Sequence, residues 1–137
     1  MENLDKEGDG ILCPMAVIIR DGGILLGLRN YTPDKWKDVS VWTIPGGRSE
    51  RGETLGETLV REVAEEVGIT DLKIESYMGE VPGMKKPDVV LLFKCSSSQE
   101  AKLMEPEKFS EWKWFTKDEI PENIVNPNAL EIIKKSF

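Results

Sequence analysis

Apolar and polar positions come in blocks along this chain, and the blocks change from strand-like to helix-like spacing and back. Residues 1–10 are polar and end in Gly8-Asp9-Gly10, which predicts a flexible arm. Ile11 to Arg20 carries the run Met15-Ala16-Val17-Ile18-Ile19, the pattern of a buried strand. Asp21-Gly22-Gly23 is a hairpin signal, and Ile24 to Arg29 reads as the returning strand. Asn30 to Ser40, with Pro33, Asp34 and Asp38, reads as a loop, and Val41 to Ile44 as a short strand running into Pro45-Gly46-Gly47. Thr54 to Val67 has helical spacing with Gly68 as its stop. Leu72 to Val81 and Val89 to Cys95 read as two further strands, joined between Pro82-Gly83 and Pro87. Ser96 to Ser110 is a polar loop, Trp112 to Phe115 a brief strand, and Asn128 to Lys135 a terminal helix. Strands, a central helix, more strands and a last helix predict an α+β fold: a mixed β-sheet sandwiched between helices in α/β/α layers. With 137 residues and no dividing linker, the expectation is a single domain over 1–137.

The central helix carries the most informative detail. Each helical residue advances about 100°, so Glu62, Glu65 and Glu66, at i, i+3 and i+4, share one sector. Leu59, Val60, Val63 and Val67 fill the adjoining sector, which the spacing places against the core. Like charges at i, i+4 repel by about 0.2–0.5 kcal/mol even when exposed. A divalent cation turns that repulsion into coordination, and the all-oxygen donor set suits Mg²⁺, with Mn²⁺ as a substitute. The competing reading is an ordinary solvated helix face.

Composition narrows the chemistry. Histidine is absent, which removes His-based triads and His-ligated zinc or haem. Acid–base work is left to carboxylates, Lys, Tyr, Cys or metal-bound water. The net charge of −7 argues against a nucleic-acid polymer as partner, because that needs a basic face, but leaves small anionic substrates open. Cys13 and Cys95 form no CxxC pair and read as reduced thiols in a cytoplasm. The acidic N-terminus predicts no signal peptide, and apolar runs far shorter than the ~20 residues of a spanning helix predict no membrane partner.

The stretch from 47 to 69 resembles the box of the Nudix hydrolase family. That box runs Gly, five residues, Glu, seven residues, Arg-Glu, an aliphatic, any residue, Glu-Glu, any residue, Gly and an aliphatic. Here the positions are Gly47, Glu53, Arg61, Glu62, Val63, Glu65, Glu66, Gly68 and Ile69, without departure. The resemblance implies a Mg²⁺-dependent pyrophosphohydrolase acting on a nucleoside diphosphate linked to another moiety. It implies metal-ligand and base roles for Glu62, Glu65 and Glu66, a backbone ligand at the Gly46 carbonyl, and a Glu53–Arg61 pair holding the loop to the helix. Gly47 and Gly52 fit a loop that passes close to phosphates and metal.

Outside the box, MutT-like members of the family carry an arginine at the place of Arg29, which implies a phosphate contact; Arg20 ends the neighbouring strand and is a second candidate. Glu105, in an acidic loop with Glu107, matches a further ligand or base position. Trp112 and Trp114 alternate onto one strand face and read as core packing. Asn126 and Asn128 open the last helix; Asn128 is carried as the base-reading amide, with helix capping as the plain alternative for both. Tyr31 and Trp36 could flank a base. The expected reaction is hydrolysis of a nucleoside triphosphate, canonical or oxidised, to the monophosphate and pyrophosphate. A nucleotide-sugar substrate such as ADP-ribose ranks second, because the proline common to that group about fifteen residues past the box is Met84 here. A non-catalytic binding module ranks third, because every box carboxylate is present. Apolar strand edges permit a homodimer.

Overall fold

The computed structural model describes residues 1–30, 40–124 and 126–137. Nine of the eleven residues of the expected loop at 30–40, Tyr31 and Trp36 among them, lie outside the described residues. Among the described residues, six strands and two α-helices follow in the order β1 (Leu12–Arg20), β2 (Gly23–Arg29), β3 (Val41–Thr43), α1 (Leu55–Val67), β4 (Lys73–Pro82), β5 (Val89–Ser96), β6 (Phe109–Thr116) and α2 (Leu130–Lys134). The β1–β2 hairpin turns on Asp21 and Gly22, both at positive φ, as a two-residue turn between right-twisted strands requires.

The sheet is mixed, in the order β3-β2-β1-β5-β4, with β6 also paired to β2. Its centre is a parallel pair, β1 with β5, in the register Cys13↔Val90, Met15↔Leu92 and Val17↔Lys94. Alternation along the strands feeds two cores. Ala16, Ile18, Leu25, Leu91 and Phe93 face α1 through Leu55, Leu59, Val63 and Val67. Val17, Ile24, Leu26 and Leu92 face the other way, against Ile124, Ala129 and Ile133 beside α2. Both faces are therefore covered, as the apolar runs of β1 and β5 predict.

α1 starts at Thr54, whose side chain accepts the Glu57 N–H while the Glu57 carboxylate returns to the Thr54 N–H, and it stops at Gly68 in the left-handed conformation. Three expectations need correction. Val60 is 42% exposed, because it projects past the edge of the stripe set by residues 55, 59, 63 and 67. The terminal helix is shorter than expected: Pro127–Ala129 forms a 3₁₀ turn capped by the Asn126 side chain, and only Leu130–Lys134 is α-helical. Residues 1–10 do not form a free arm, since backbone hydrogen bonds tie Leu4, Lys6 and Gly8 to residues 53–56.

Candidate active site

A cavity of about 380 Å³ opens between the β1–β5 centre of the sheet, the loop before α1 and the segment leading into α2. Part of its lining is apolar, with Met15, Ile44, Leu92, Ile124 and Ile133 among those residues. Glu62, Glu66, Arg29 and Lys108 also line it, as does the Gly46-Gly47 backbone.

The helix sets the glutamates apart by depth. Glu66 falls among the core positions of α1 and is 8% exposed, Glu62 is half-buried, and Glu65 lies on the exposed flank. The shared sector is thus a gradient from buried to solvated. Burial pushes the Glu66 carboxyl up to about 8, helped by the nearby charges of Glu62 and Glu105 and opposed by the hydrogen bond from the Gly46 N–H and by Arg29. Glu62 is raised as well, first by burial, with Arg61 pulling the other way.

Two glycines make this geometry accessible. Gly46, at φ 144°, donates its N–H to Glu66 Oε1 at 2.8 Å, and a Cβ there would stand 2.5 Å from the Pro14 carbonyl oxygen. At Gly47 a Cβ would meet the Glu62 carboxyl carbon at 2.6 Å. Gly46 admits no side chain, and one at Gly47 would push the Glu62 carboxylate aside.

Arg61 organises the carboxylates. Its guanidinium donates to Glu53 through Nε at 2.8 Å and Nη2 at 3.0 Å, to Glu62 at 3.1 Å and to Glu65 at 2.9 Å. These hydrogen bonds hold the Glu53 carboxyl below the usual carboxylate range. Among the described residues no three acidic side chains form one ready-made ligand cluster, and Glu62 and Glu65 are both turned onto Arg61.

The residues nevertheless fit a hard divalent cation. The donors are all oxygen. Among the described residues, the Gly46 carbonyl accepts no hydrogen bond from the protein. Glu105 lies close enough to Glu66 to raise its pKa. Its Oε2 accepts a hydrogen bond from Lys108 at 3.3 Å, while its Oε1 is buried and has no partner among the described residues, an acceptor left for a cation or a water.

Several expected contacts fall elsewhere. Arg20 does not line this cavity. It stacks 4.7 Å over Trp114 and donates to the Ser97 and Gln99 carbonyls, beside a separate shallow depression. Asn128 is exposed and outside the lining, whereas Asn126 is buried and part of it. Asn126 donates to the Pro82 carbonyl and accepts the Asn128 N–H, so its amide is held in one orientation. Arg29 does line the cavity and lies 5.8 Å over the Phe109 ring. Glu107 is exposed. The sequence reading missed Lys108, three residues past Glu105 in the same acidic loop, and the Arg48–Asp88 pair at the mouth, bonded at 2.5 and 2.6 Å. Asp88 carries no local signal; its place follows from the strand register.

Comparison with known proteins agrees with this geometry. The NUDIX domain model matches residues 14–135. Nucleoside triphosphatase NudI of Escherichia coli is 28% identical over 140 residues, covering 93% of this chain and 92% of that protein. Nucleoside diphosphate-linked moiety X motif 6 of Xenopus laevis is 46% identical over 54 residues, 39% of this chain, and the match spans 23% of the frog protein's length. The crystal structure of a MutT protein from Methanosarcina mazei superposes with a TM-score of 0.72 at 23% identity, covering 92% of this chain and 91% of that one. By its sequence and its fold this chain belongs to the Nudix hydrolase family.

Proposed function

We propose that this protein is a divalent-cation-dependent pyrophosphohydrolase that cleaves a nucleoside triphosphate to the monophosphate and pyrophosphate. The observation that carries this reading is one cavity whose lining joins apolar residues such as Met15, Leu92 and Ile133 to two buried or half-buried glutamates, Arg29 and Lys108. Its volume lies within the ~300–1,000 Å³ of small-molecule sites. The net charge of −7 favours a small nucleotide over a polymer.

Glu62, Glu65, Glu66 and the Gly46 carbonyl would hold Mg²⁺ or Mn²⁺, with the Glu105 Oε1 as a further ligand. Mg²⁺ bound there would neutralise phosphate charge and acidify the attacking water. Arg29 and Lys108 offset phosphate charge from the protein side. The water oxygen bonds to phosphorus, the anhydride P–O bond breaks with its electron pair leaving on pyrophosphate, and a carboxylate of the cluster takes the proton. Glu53 and Arg61 stay as the brace beneath, and Asn126 presents its fixed amide to the base.

A product assay over common and oxidised nucleoside triphosphates, ADP-ribose and a dinucleoside polyphosphate, with and without Mg²⁺, tests this. The expected result is Mg²⁺-dependent pyrophosphate and monophosphate from at least one triphosphate. AMP from ADP-ribose with triphosphates inert would replace the triphosphate reading with the nucleotide-sugar one. Nucleotide binding without any product would replace it with a binding module.

A further inference from the structure

The N–H groups of the first turn of a helix have no partner inside it. In α1 three of them are met from within the chain. Leu55 donates to the Lys6 carbonyl at 2.8 Å, Gly56 to the Leu4 carbonyl at 3.0 Å, and Glu57 to Thr54 Oγ1 at 3.1 Å. Contacts also run the other way. Gly8 donates to the Glu53 carbonyl at 2.8 Å, and Glu7 pairs with Thr54 as an antiparallel bridge. Ser49, 2% exposed, accepts the N–H groups of Asp9 and Gly10 on its hydroxyl at 3.1 and 3.3 Å. Arg48 donates to the Gly10 carbonyl at 2.7 Å with the same Nη1 that meets Asp88. The fit at Gly8 is close: a Cβ there would stand 2.3 Å from the Glu50 carbonyl oxygen. The Leu4 side chain packs on the α1 core and against Gly56.

These bonds reach the reacting end of the helix in two steps. The residue whose carbonyl receives Gly8 is Glu53, whose carboxylate grips Arg61, and Arg61 holds Glu62 and Glu65. We propose that residues 4–10 form a strap that sets the position of the loop 47–54 and of the first turn of α1, with Ser49 and Leu4 as positioning residues for the Glu53–Arg61–Glu62 brace. One corollary concerns the substrate. The opening N–H groups of α1 are already committed, so its N-terminus is closed to phosphate, and the phosphates depend on side chains, Arg29 and Lys108 first. The inference rests on the hydrolase reading for its effect on rate.

The test uses two full-length variants, Ser49→Ala and Leu4→Asp, with Leu4→Met as the conservative control. Amide exchange reads the strap, Mn²⁺ binding by electron paramagnetic resonance reads the carboxylates, and kcat and KM read the reaction. In both variants exchange at Leu55 and Gly56 is expected to accelerate about tenfold or more while Leu92 and Phe93 hold their protection. Mn²⁺ affinity is expected to fall about tenfold, as when an outer-shell partner is lost. At saturating metal kcat is expected to fall by about tenfold to a hundredfold with KM nearly unchanged, and Leu4→Met is expected to behave as wild type. Faster exchange with unchanged Mn²⁺ affinity and unchanged kcat per folded molecule would overturn the proposal, and so would unchanged exchange at Leu55 and Gly56. Wild-type protein that binds Mn²⁺ but turns over no nucleotide refutes the hydrolase reading alone, leaving the strap to be judged by exchange and affinity.

Discussion

Replacing Glu66 by glutamine removes a charge from the least solvated acidic position of the site. In the chelator-treated protein the folded chain binds the Glu66 proton up to about pH 8, whereas the unfolded chain releases it near 4.5. Between those values the folded state carries more protons, so stability is fully present below about 4.5 and declines as pH rises towards 8. Each tenfold change in proton affinity is worth about 1.4 kcal/mol, which puts the full effect at up to about 5 kcal/mol. Asp9, Glu53, Asp71, Asp88 and Glu119 are held low by hydrogen bonds and stay ionised through most of this window, so they contribute little slope. Glu62 is raised and adds slope of the same sign. Glutamine keeps an oxygen to accept the Gly46 N–H and has nothing to titrate. Urea unfolding with chelator, from about pH 5 to 9, should show wild type losing several kcal/mol as pH rises and Glu66→Gln losing much less. The two curves should cross, leaving the variant more stable at about pH 8.5, and added Mg²⁺ should restore wild type only. Parallel curves across the whole range would refute the argument that burial of this carboxyl destabilises the fold at alkaline pH.

Two further substitutions separate packing from function. Gly27→Ala would place a methyl 2.7 Å from three ring atoms of Trp112, so urea unfolding should report a loss of about 1–3 kcal/mol; an unchanged midpoint would mean that the indole moves freely. Arg20→Ala should leave kcat and KM within about twofold while costing about 1 kcal/mol of stability through its lost carbonyl contacts, and a large rise in KM would return Arg20 to the substrate site.

The strands and α1 were legible because apolar runs, turn residues and caps are local signals. The Thr54 capping box and the Gly68 stop bound α1 as the spacing predicts. Glu62 and Glu66 were legible by the box spacing, but their different depths were not. A wheel places residues around an axis without saying how far the neighbouring loop rises over them, and it is Gly46 and Gly47 that close over Glu66 and Glu62. Arg20 and Arg29 looked alike as strand ends. The β1–β2 hairpin separates them: Arg29 leaves at the cavity, while Arg20 turns beside Gly23 towards Ser97 and Trp114. Asn126 and Asn128 also looked alike, and the 3₁₀ turn that precedes α2 separates them by burying the first and exposing the second. The polar N-terminus read as free because all of its anchoring but the Leu4 contact runs through its backbone groups, which leave no mark in side-chain composition.

Arg61 gives the site a further property. Its guanidinium already satisfies oxygens of Glu53, Glu62 and Glu65. A divalent ion that engages Glu62 and Glu65 therefore displaces one cation by another, and loading the site is an exchange rather than an addition. The affinity measured for the ion reports the difference between two sets of charge-assisted bonds, and added salt weakens both sets together. An arginine-to-lysine change would lose the fork that spans three carboxylates. With the fork gone, the brace loosens and the carboxylates are no longer held together for the ion.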